Sequence, residues 1–389
     1  MGSYRIKTYN KISNLGLDIF PKDKYLISEQ EGNPEIILLR SYKMNDDKLN
    51  NELLMVGRAG VGVNNVPVDR CTKQGVVVFN APGANANAVK EVVIAGLFLS
   101  SRNIYGAITL ASTLKDKGDE VPKIIEKEKN QFVGPEIAGK KLGLIGLGAI
   151  GGKVANAAIA LGMKVYGYDP FLSIEGAIAL DPGVKRVESL KELLVDSDYL
   201  SLHVPLLDST KKMFNKKTFE IMKKGVRILN FSRGELVCDD GLEVAINEGR
   251  VASYVTDFPN ARLLSMKKVI PIPHIGASTP ESEENCAVMI ANQTRDFMEY
   301  GIIRNSVNFP FCTMVKSSAC RLTVVSHNSK DLPSELMNLL SQNRIKVIET
   351  VTERKDEIAY SIFDTQEEVS SEVIDKLKGL SSTLKVRKI

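Results

Sequence analysis

A chain of 389 residues, 43% apolar and 25% charged, has the make-up of an ordinary folded protein of two or three domains. A formal charge of +4 is too small to mark a nucleic-acid surface or a polybasic membrane anchor, and the longest apolar stretch, residues 92–99, is too short to span a bilayer. Five scattered cysteines (Cys71, Cys238, Cys286, Cys312, Cys320) without a CxxC pair point to reduced thiols rather than disulfides or a zinc site.

The opening MGSYRIKTYNK is polar, lacks a signal-peptide core and has no Ser or Thr at the sixth position for myristoylation, so a cytoplasmic protein is expected. EIILLRS (35–41), MVGRAGVGV (55–63) and VVVFNAP (76–82) read as strands. Between them NDDKLNNELL (45–54) and VDRCTKQG (68–75) read as helices, the second stopped by Gly75. This βαβ rhythm predicts a parallel sheet covered on both faces. Residues 89–99 read as a buried helix, and the polar stretch 112–141 as an exposed arm or domain crossing. A second series then supplies six strand runs: KLGLIGL, KVYGYD, YLSLHV, VRILNFS, ASYVTD and VIPIPH. A helix is expected from 280 to about 300, with NSVNFP (305–310) returning to the first domain. From residue 318 the grammar changes to strand, helix, strand, strand, helix, strand, the ferredoxin-like order.

Gly146-Leu147-Gly148-Ala149-Ile150-Gly151 is a G-x-G-x-x-G that follows an apolar strand and opens a helix, the context that motif requires. Gly146 permits the tight turn, Gly148 lets a pyrophosphate approach the backbone, and Gly151 lets helix and strand pack closely. Asp169 ends the next strand, where a carboxylate accepts a ribose diol and repels a 2′-phosphate, so NAD is expected over NADP. Because this motif begins at residue 146, the nucleotide domain reads as inserted into an earlier one. The expected fold is α/β, with two doubly wound parallel-sheet domains, a Rossmann domain (94–279) inside a flavodoxin-like substrate domain (1–93 and 280–312). A ferredoxin-like module (318–389) follows.

Of the three histidines, His203 and His274 end apolar strands of the nucleotide half, where open α/β sheets bind ligands. The strings SLHVPLLDST (201–210), MKKGVRILNFSRGELVCDDGL (222–242) and PHIGAST (273–279) resemble the D-isomer-specific 2-hydroxyacid dehydrogenases. So do RAGVGVNNVPVD and VVVFNAPGANANAVKE in the first domain. A 2-hydroxy acid needs a cation for its carboxylate and a base for its hydroxyl proton. Arg233 in FSRG and His274 in PHIG match the family's substrate-orienting arginine and acid/base. The resemblance further implies a cofactor surface of Ala149, Ile150, His203, Val204, Pro205, Thr210, Phe231, Ser232, Gly276 and Ala277, with Asp257 on the nicotinamide amide. The family's Glu that pairs with the catalytic histidine has no match, since no Glu lies between Glu248 and His274. Either Asp257 serves both roles or His274 works without a direct carboxylate partner. The second is the expectation, with a lower His274 pKa and a pH optimum shifted from relatives that carry the Glu.

The implied substrate is 3-phosphoglycerate, and a phosphate needs several cations. Arg40, Ser41, Lys43 and Arg58 are the candidates. By resemblance Asn80, Gly83, Asn85 and Asn87 border the same cleft, and Lys90 is a further nearby cation. The C-terminal module resembles an ACT domain, a binder of small effectors at dimer interfaces, with His327 and Asn328 in the string matching the effector loop. Serine-sensing members carry a Gly after the loop's Pro; here Ser334 follows Pro333. That leaves L-serine binding and pure oligomerisation as open readings. A homodimer or homotetramer, paired through an arm at 103–131, is implied. The reaction expected is NAD-dependent oxidation, the first step toward serine. Hydroxypyruvate or glyoxylate reduction is the alternative the ACT-like tail argues against. An NAD-sensing corepressor-like protein is the alternative that Arg233 and His274 argue against.

Overall fold

Two parallel sheets and one antiparallel sheet form from the apolar runs. The computed structural model describes residues 3–45, 47–329 and 332–389. It divides into one unit of Met1–Asn85 with Pro280–Ile389 and a second of Ala86–Thr279.

In the first unit a five-stranded parallel sheet runs in the order Tyr25–Ser28, Tyr4–Tyr9, Ile36–Leu39, Met55–Arg58, Val77–Phe79. This 2-1-3-4-5 order is the flavodoxin-like one. The apolar runs Ile36–Leu39, Met55–Arg58 and Val77–Phe79 are almost wholly buried, which is why they read from sequence as continuous hydrophobic strands. The sequence reading lacks the first two strands. Tyr25–Ser28 is an edge strand with three of its four residues exposed, so it carries little apolar signal. The expected helix at 45–54 does not form among the described residues. Asn50 donates its amide to the Pro34 carbonyl at 3.0 Å, and Arg70 donates to the Asn45 and Asp47 carbonyls. Asn-rich segments of this kind favour such local bonds over helix. Val68–Lys73 is helical and ends at Gly75, φ +67°. NSVNFP closes onto this sheet: Asn308 Oδ1 accepts the Val78 N–H at 2.8 Å, and its amide donates to the Val76 carbonyl at 3.0 Å.

The second unit holds a seven-stranded parallel sheet ordered Val269–Pro271, Val251–Thr256, Val226–Asn230, Tyr199–Leu202, Lys141–Ile145, Lys164–Tyr168, Lys185–Arg186. The chain starts at the middle and winds both ways, so the order reverses between Lys141–Ile145 and Tyr199–Leu202. That is the doubly wound Rossmann topology, with its ligand crevice at the reversal. The seventh strand, Lys185–Arg186, has two exposed charged residues and no apolar signal. The helix Ala86–Ser101 lies in this unit and runs through residues 93 and 94, where the sequence reading divides the domains. A Cβ on its Gly96 would stand 2.9 Å from a Leu229 methyl and 3.1 Å from the Phe231 ring, so glycine lets the helix pack closely on the sheet. The arm expected at 103–131 contains helices Ile104–Thr113 and Val121–Glu128, neither with a buried residue.

The C-terminal strands form an antiparallel sheet ordered Val347–Lys355, Ile358–Thr365, Cys320–His327, Thr383–Lys388, with helices Leu332–Gln342 and Ser371–Lys378 on one face. This is the expected βαββαβ order. No single helix among the described residues is long and apolar enough to cross a membrane.

Candidate nucleotide and catalytic site

The glycine loop joins strand Lys141–Ile145 to helix Ala149–Ala160 at the crevice of the second unit. Gly146 has φ +94° and donates its N–H to the Tyr168 carbonyl at 2.9 Å; a Cβ there would lie 2.5 Å from the His203 carbonyl oxygen. A Cβ on Gly151 would lie 2.1 Å from the Gly146 oxygen. Both positions therefore require glycine for the turn itself. Gly148 differs: a Cβ there would meet nothing within 4 Å. Its missing side chain leaves open space at the start of a helix whose first N–H groups have no intrahelical partner. That is the cradle a pyrophosphate needs, so the residues present fit a dinucleotide.

Asp169 braces the loop as well as offering a carboxylate. Its Oδ2 accepts the Leu147 N–H at 2.8 Å and its Oδ1 the Phe171 N–H at 2.9 Å. Each oxygen keeps a second lone pair for a diol. His203 donates its backbone N–H to the Ile145 carbonyl at 2.7 Å, and its ring Nε2 lies 2.9 Å from Ser201 Oγ. Burial pushes the imidazole down to about 4, so it stays neutral at physiological pH. A lining role suits it and proton transfer near neutrality does not. Thr210 pins the following loop, its hydroxyl donating to the Pro205 carbonyl at 2.7 Å and accepting the Leu207 N–H at 2.8 Å.

Arg233 and His274 stand at the carboxyl ends of strands Val226–Asn230 and Val269–Pro271, and both are exposed. Between those two strands Val251–Thr256 delivers Asp257, which is 2% exposed. The Gly276 N–H bonds the Asp257 carboxylate, and Asp257 Oδ1 is a buried oxygen with no hydrogen-bond partner. Burial raises the Asp257 pKa, against which the nearby positive charges of His274 and Arg233 pull it down. Acid/base, guanidinium and carboxyl are thus gathered in one electrostatic neighbourhood. No hydrogen bond or ion pair joins Asp257 to His274 among the described residues. Phe258, the next residue, packs on the His274 ring with centroids 4.7 Å apart.

Sequence reasoning missed the group that sets the Arg233 loop. Asn230 is fully buried at its strand end; its amide donates to the Arg233 carbonyl at 2.8 Å and to Tyr254 Oη at 3.1 Å, and its Oδ1 accepts the Ser232 N–H at 3.2 Å. Ser232 Oγ donates to the Leu202 carbonyl at 2.7 Å. The only signal in the sequence is a polar residue ending an apolar strand. Phe231 is 7% exposed and packs, with the half-buried Ile150 and Ala277, in the core beneath helix Ala86–Ser101. Asn87, in the same helix, donates its amide to Glu91 at 2.9 Å, and Lys90 pairs with that same carboxylate at 3.4 Å.

In the first unit Arg40 and Arg58 both follow from carboxyl strand ends, and both guanidiniums act electrostatically on Cys286 of helix Pro280–Tyr300. Arg58 Nε donates to the Arg40 carbonyl at 3.1 Å, and its guanidinium fills the space where a Gly60 Cβ would sit. The Arg40 guanidinium pairs with Glu283 in the helix's first turn, a partner the sequence reading did not assign. Ser41 Oγ donates to Asn10 at 3.4 Å, Lys43 is exposed, and Asn80 donates to the Val61 carbonyl at 2.7 Å. Gly83 has φ +79°, and Asn85 Oδ1 is a buried oxygen with no hydrogen-bond partner. At the expected effector loop His327 is exposed, while the Asn328 amide donates to the Asp356 carbonyl at 3.0 Å. Lys330 and Asp331 of that loop lie outside the described residues.

The glycine loop, the strand order and Asp169 together define a dinucleotide-binding protein of the doubly wound class. Residues 106–276 match the family model described as D-isomer specific 2-hydroxyacid dehydrogenase, NAD binding domain. A D-3-phosphoglycerate dehydrogenase of Methanocaldococcus jannaschii is 35% identical over 265 residues, 67% of this chain and 48% of that protein. The chain spans about half the length of the curated relatives it matches. Among solved structures, the holo D-mandelate dehydrogenase of Rhodotorula graminis shares the fold with TM-score 0.68 and 24% identity, over 81% of this chain and all of that one. An NAD+-bound 3-phosphoglycerate dehydrogenase of Entamoeba histolytica aligns with TM-score 0.60 and 23% identity, over 80% of this chain and all of that one. Residues 106–276 carry the NAD-binding domain of the D-isomer specific 2-hydroxyacid dehydrogenase family.

Proposed function

We propose that this protein is an NAD-dependent D-3-phosphoglycerate dehydrogenase, oxidising 3-phosphoglycerate to 3-phosphohydroxypyruvate as the first step toward L-serine. The observation that carries this reading is the grouping of His274, Arg233 and Asp257 at adjacent strand ends of an NAD-binding sheet. The names of the curated relatives direct it to the phosphorylated substrate.

Gly146, Gly148, Gly151 and Asp169 hold the dinucleotide, which when bound supplies the hydride acceptor. Arg233 binds the substrate carboxylate in a two-pronged hydrogen bond and fixes which face of the hydroxyl carbon is presented. A ring nitrogen of His274 takes the hydroxyl proton as the alcohol becomes a ketone, and returns it in the reverse direction. Asp257 places negative charge near the resulting imidazolium, and Arg40 and Arg58 receive the phosphate. The C-terminal module is ACT-like in role, and the enzyme works in the cytoplasm as a homo-oligomer. Mixing the protein with NAD and 3-phosphoglycerate and following NADH absorbance tests the reaction. His274→Gln and Arg233→Met are each expected to lower kcat/KM at least a hundredfold with NAD affinity kept. No NADH from the wild-type protein overturns the reading.

A further inference from the structure

Helix Pro280–Tyr300 has 21 residues, a length of about 30 Å at 1.5 Å per residue, and its two ends meet different partners. Its first turn carries Glu283, which pairs with Arg40. Its last turn is capped by side chains from the C-terminal sheet. Arg387 Nη2 donates to the Met298 carbonyl at 3.0 Å and its guanidinium stacks over the Phe297 ring at 4.5 Å. Arg321 Nη1 donates to the Tyr300 carbonyl at 2.8 Å, and the Tyr360 hydroxyl donates to the Gly301 carbonyl at 2.8 Å. Helix C-termini leave carbonyls unpaired and carry partial negative charge, so two guanidiniums and a phenol suit the position.

The seat is built into the fold. Val325, Ile358, Tyr360 and Ile362 of the sheet share one core with Phe297, Met298 and Phe309. Lys385, mostly buried, donates to the Leu53 carbonyl at 2.7 Å, and Lys355 to the Val307 carbonyl at 2.7 Å. Gly301 has φ +68°, and a Cβ there would lie 2.5 Å from Thr323. Arg321 is fully buried, with Nε 2.6 Å and Nη2 2.8 Å from the two Asp364 oxygens. Burial alone would raise the Asp364 pKa, but bonds from Arg321 and Ser317 hold it below the usual range. A sheet face covered this way is not a tethered appendage.

We infer that the C-terminal module is a permanent clamp on helix Pro280–Tyr300, and that through this helix it sets Glu283 as the positioning residue for the Arg40–Arg58 pair. The substrate role of that pair rests on the proposed function; the clamp itself does not.

The test uses full-length variants: Tyr360→Phe with Arg387→Met at the clamp, Glu283→Gln at the far end, and all three combined. Amide exchange followed by mass spectrometry is expected to quicken in the clamp variant at residues 296–301 and also at 280–290 and 38–60. With 3-phosphoglycerate, clamp and Glu283→Gln variants are each expected to raise KM about three- to tenfold with kcat within twofold. The triple variant is expected to show less than the product of the two effects, because contacts acting through one element are not additive. Exchange that quickens only at 296–301, or KM effects that multiply fully, overturn the inference. If the wild-type protein turns over no 2-hydroxy acid, the functional reading fails while the exchange arm still decides the clamp.

Discussion

In the second unit the functional loops are held by close backbone approach and by polar bonds to backbone groups, the Asp169 carboxylate accepting two backbone N–H groups among them. The glycine turn closes on backbone atoms, Asn230 ties the Arg233 segment through buried neutral bonds, and His203 is a neutral ring against Ser201. In the first unit the arginine pair is held differently, with a partly exposed ion pair between Arg40 and Glu283 and a bond from Arg58 to the Arg40 carbonyl. Steric and buried polar contacts do not respond to salt, whereas partly exposed charges are screened within roughly 10 Å at 0.1 M salt. The nucleotide side is therefore built for shape, and the anion side for charge that can be rearranged.

Glycine substitutions break the first half of that comparison most sharply. Gly151→Ala puts a methyl into the Gly146 carbonyl, so it is expected to cost about 2–4 kcal/mol of stability and at least tenfold in NAD affinity. Gly148→Ala has open space and a negative φ of −65°, so stability should stay within about 0.5 kcal/mol while NAD affinity falls. Urea unfolding and calorimetric titration on both variants separate the two effects. Equal destabilisation would show that the loop is not held by close backbone approach.

The buried imidazole gives a pH signature of intermediate size. His203 titrates at about 4 in the fold and near 6.5 when unfolded. Between those values the unfolded chain binds more protons, so stability falls as pH drops from about 6.5 toward 4 and levels off below. By pH 5 this one group removes about 2 kcal/mol. His203→Asn should flatten that part of the profile, read as denaturant midpoints at pH 7 and pH 5. An unchanged slope would mean the ring takes up protons in the folded state.

These contrasts explain what was legible in the sequence. The glycine loop is a local constraint within six residues, so its spacing alone announces it. The chemistry of Arg233 and His274 was legible through neighbouring strings. The support around them was not, because Asn230 reaches Tyr254 and Arg233 only once strands lie side by side. Asp257 read as a cofactor contact; that its charge also faces His274 and Arg233 depends on strand order. The Arg40–Glu283 pair joins residues from the two halves of a split unit, and no periodicity marks it. The docked sheet face is hidden for the same reason. Its two central strands, Cys320–His327 and Ile358–Thr365, are buried almost throughout, and the strand and helix order does not say what covers the second face.

Glu283→Gln sharpens the second half of the comparison and should have a small, salt-dependent effect on stability. The pair is about one-third exposed on the arginine and nearly one-half on the glutamate, at 32% and 45%. Surface pairs of this kind contribute about 0–1 kcal/mol. The variant should therefore lose less than about 1 kcal/mol at low salt, and nothing measurable near 1 M NaCl, where the screening length is about 3 Å. NAD affinity should be unchanged, since the glycine loop belongs to the other unit. If instead the loss is several kcal/mol and independent of salt, Glu283 is packed as structure. The arginine pair would then be held as rigidly as the nucleotide loop, and the contrast between the two sheets would disappear.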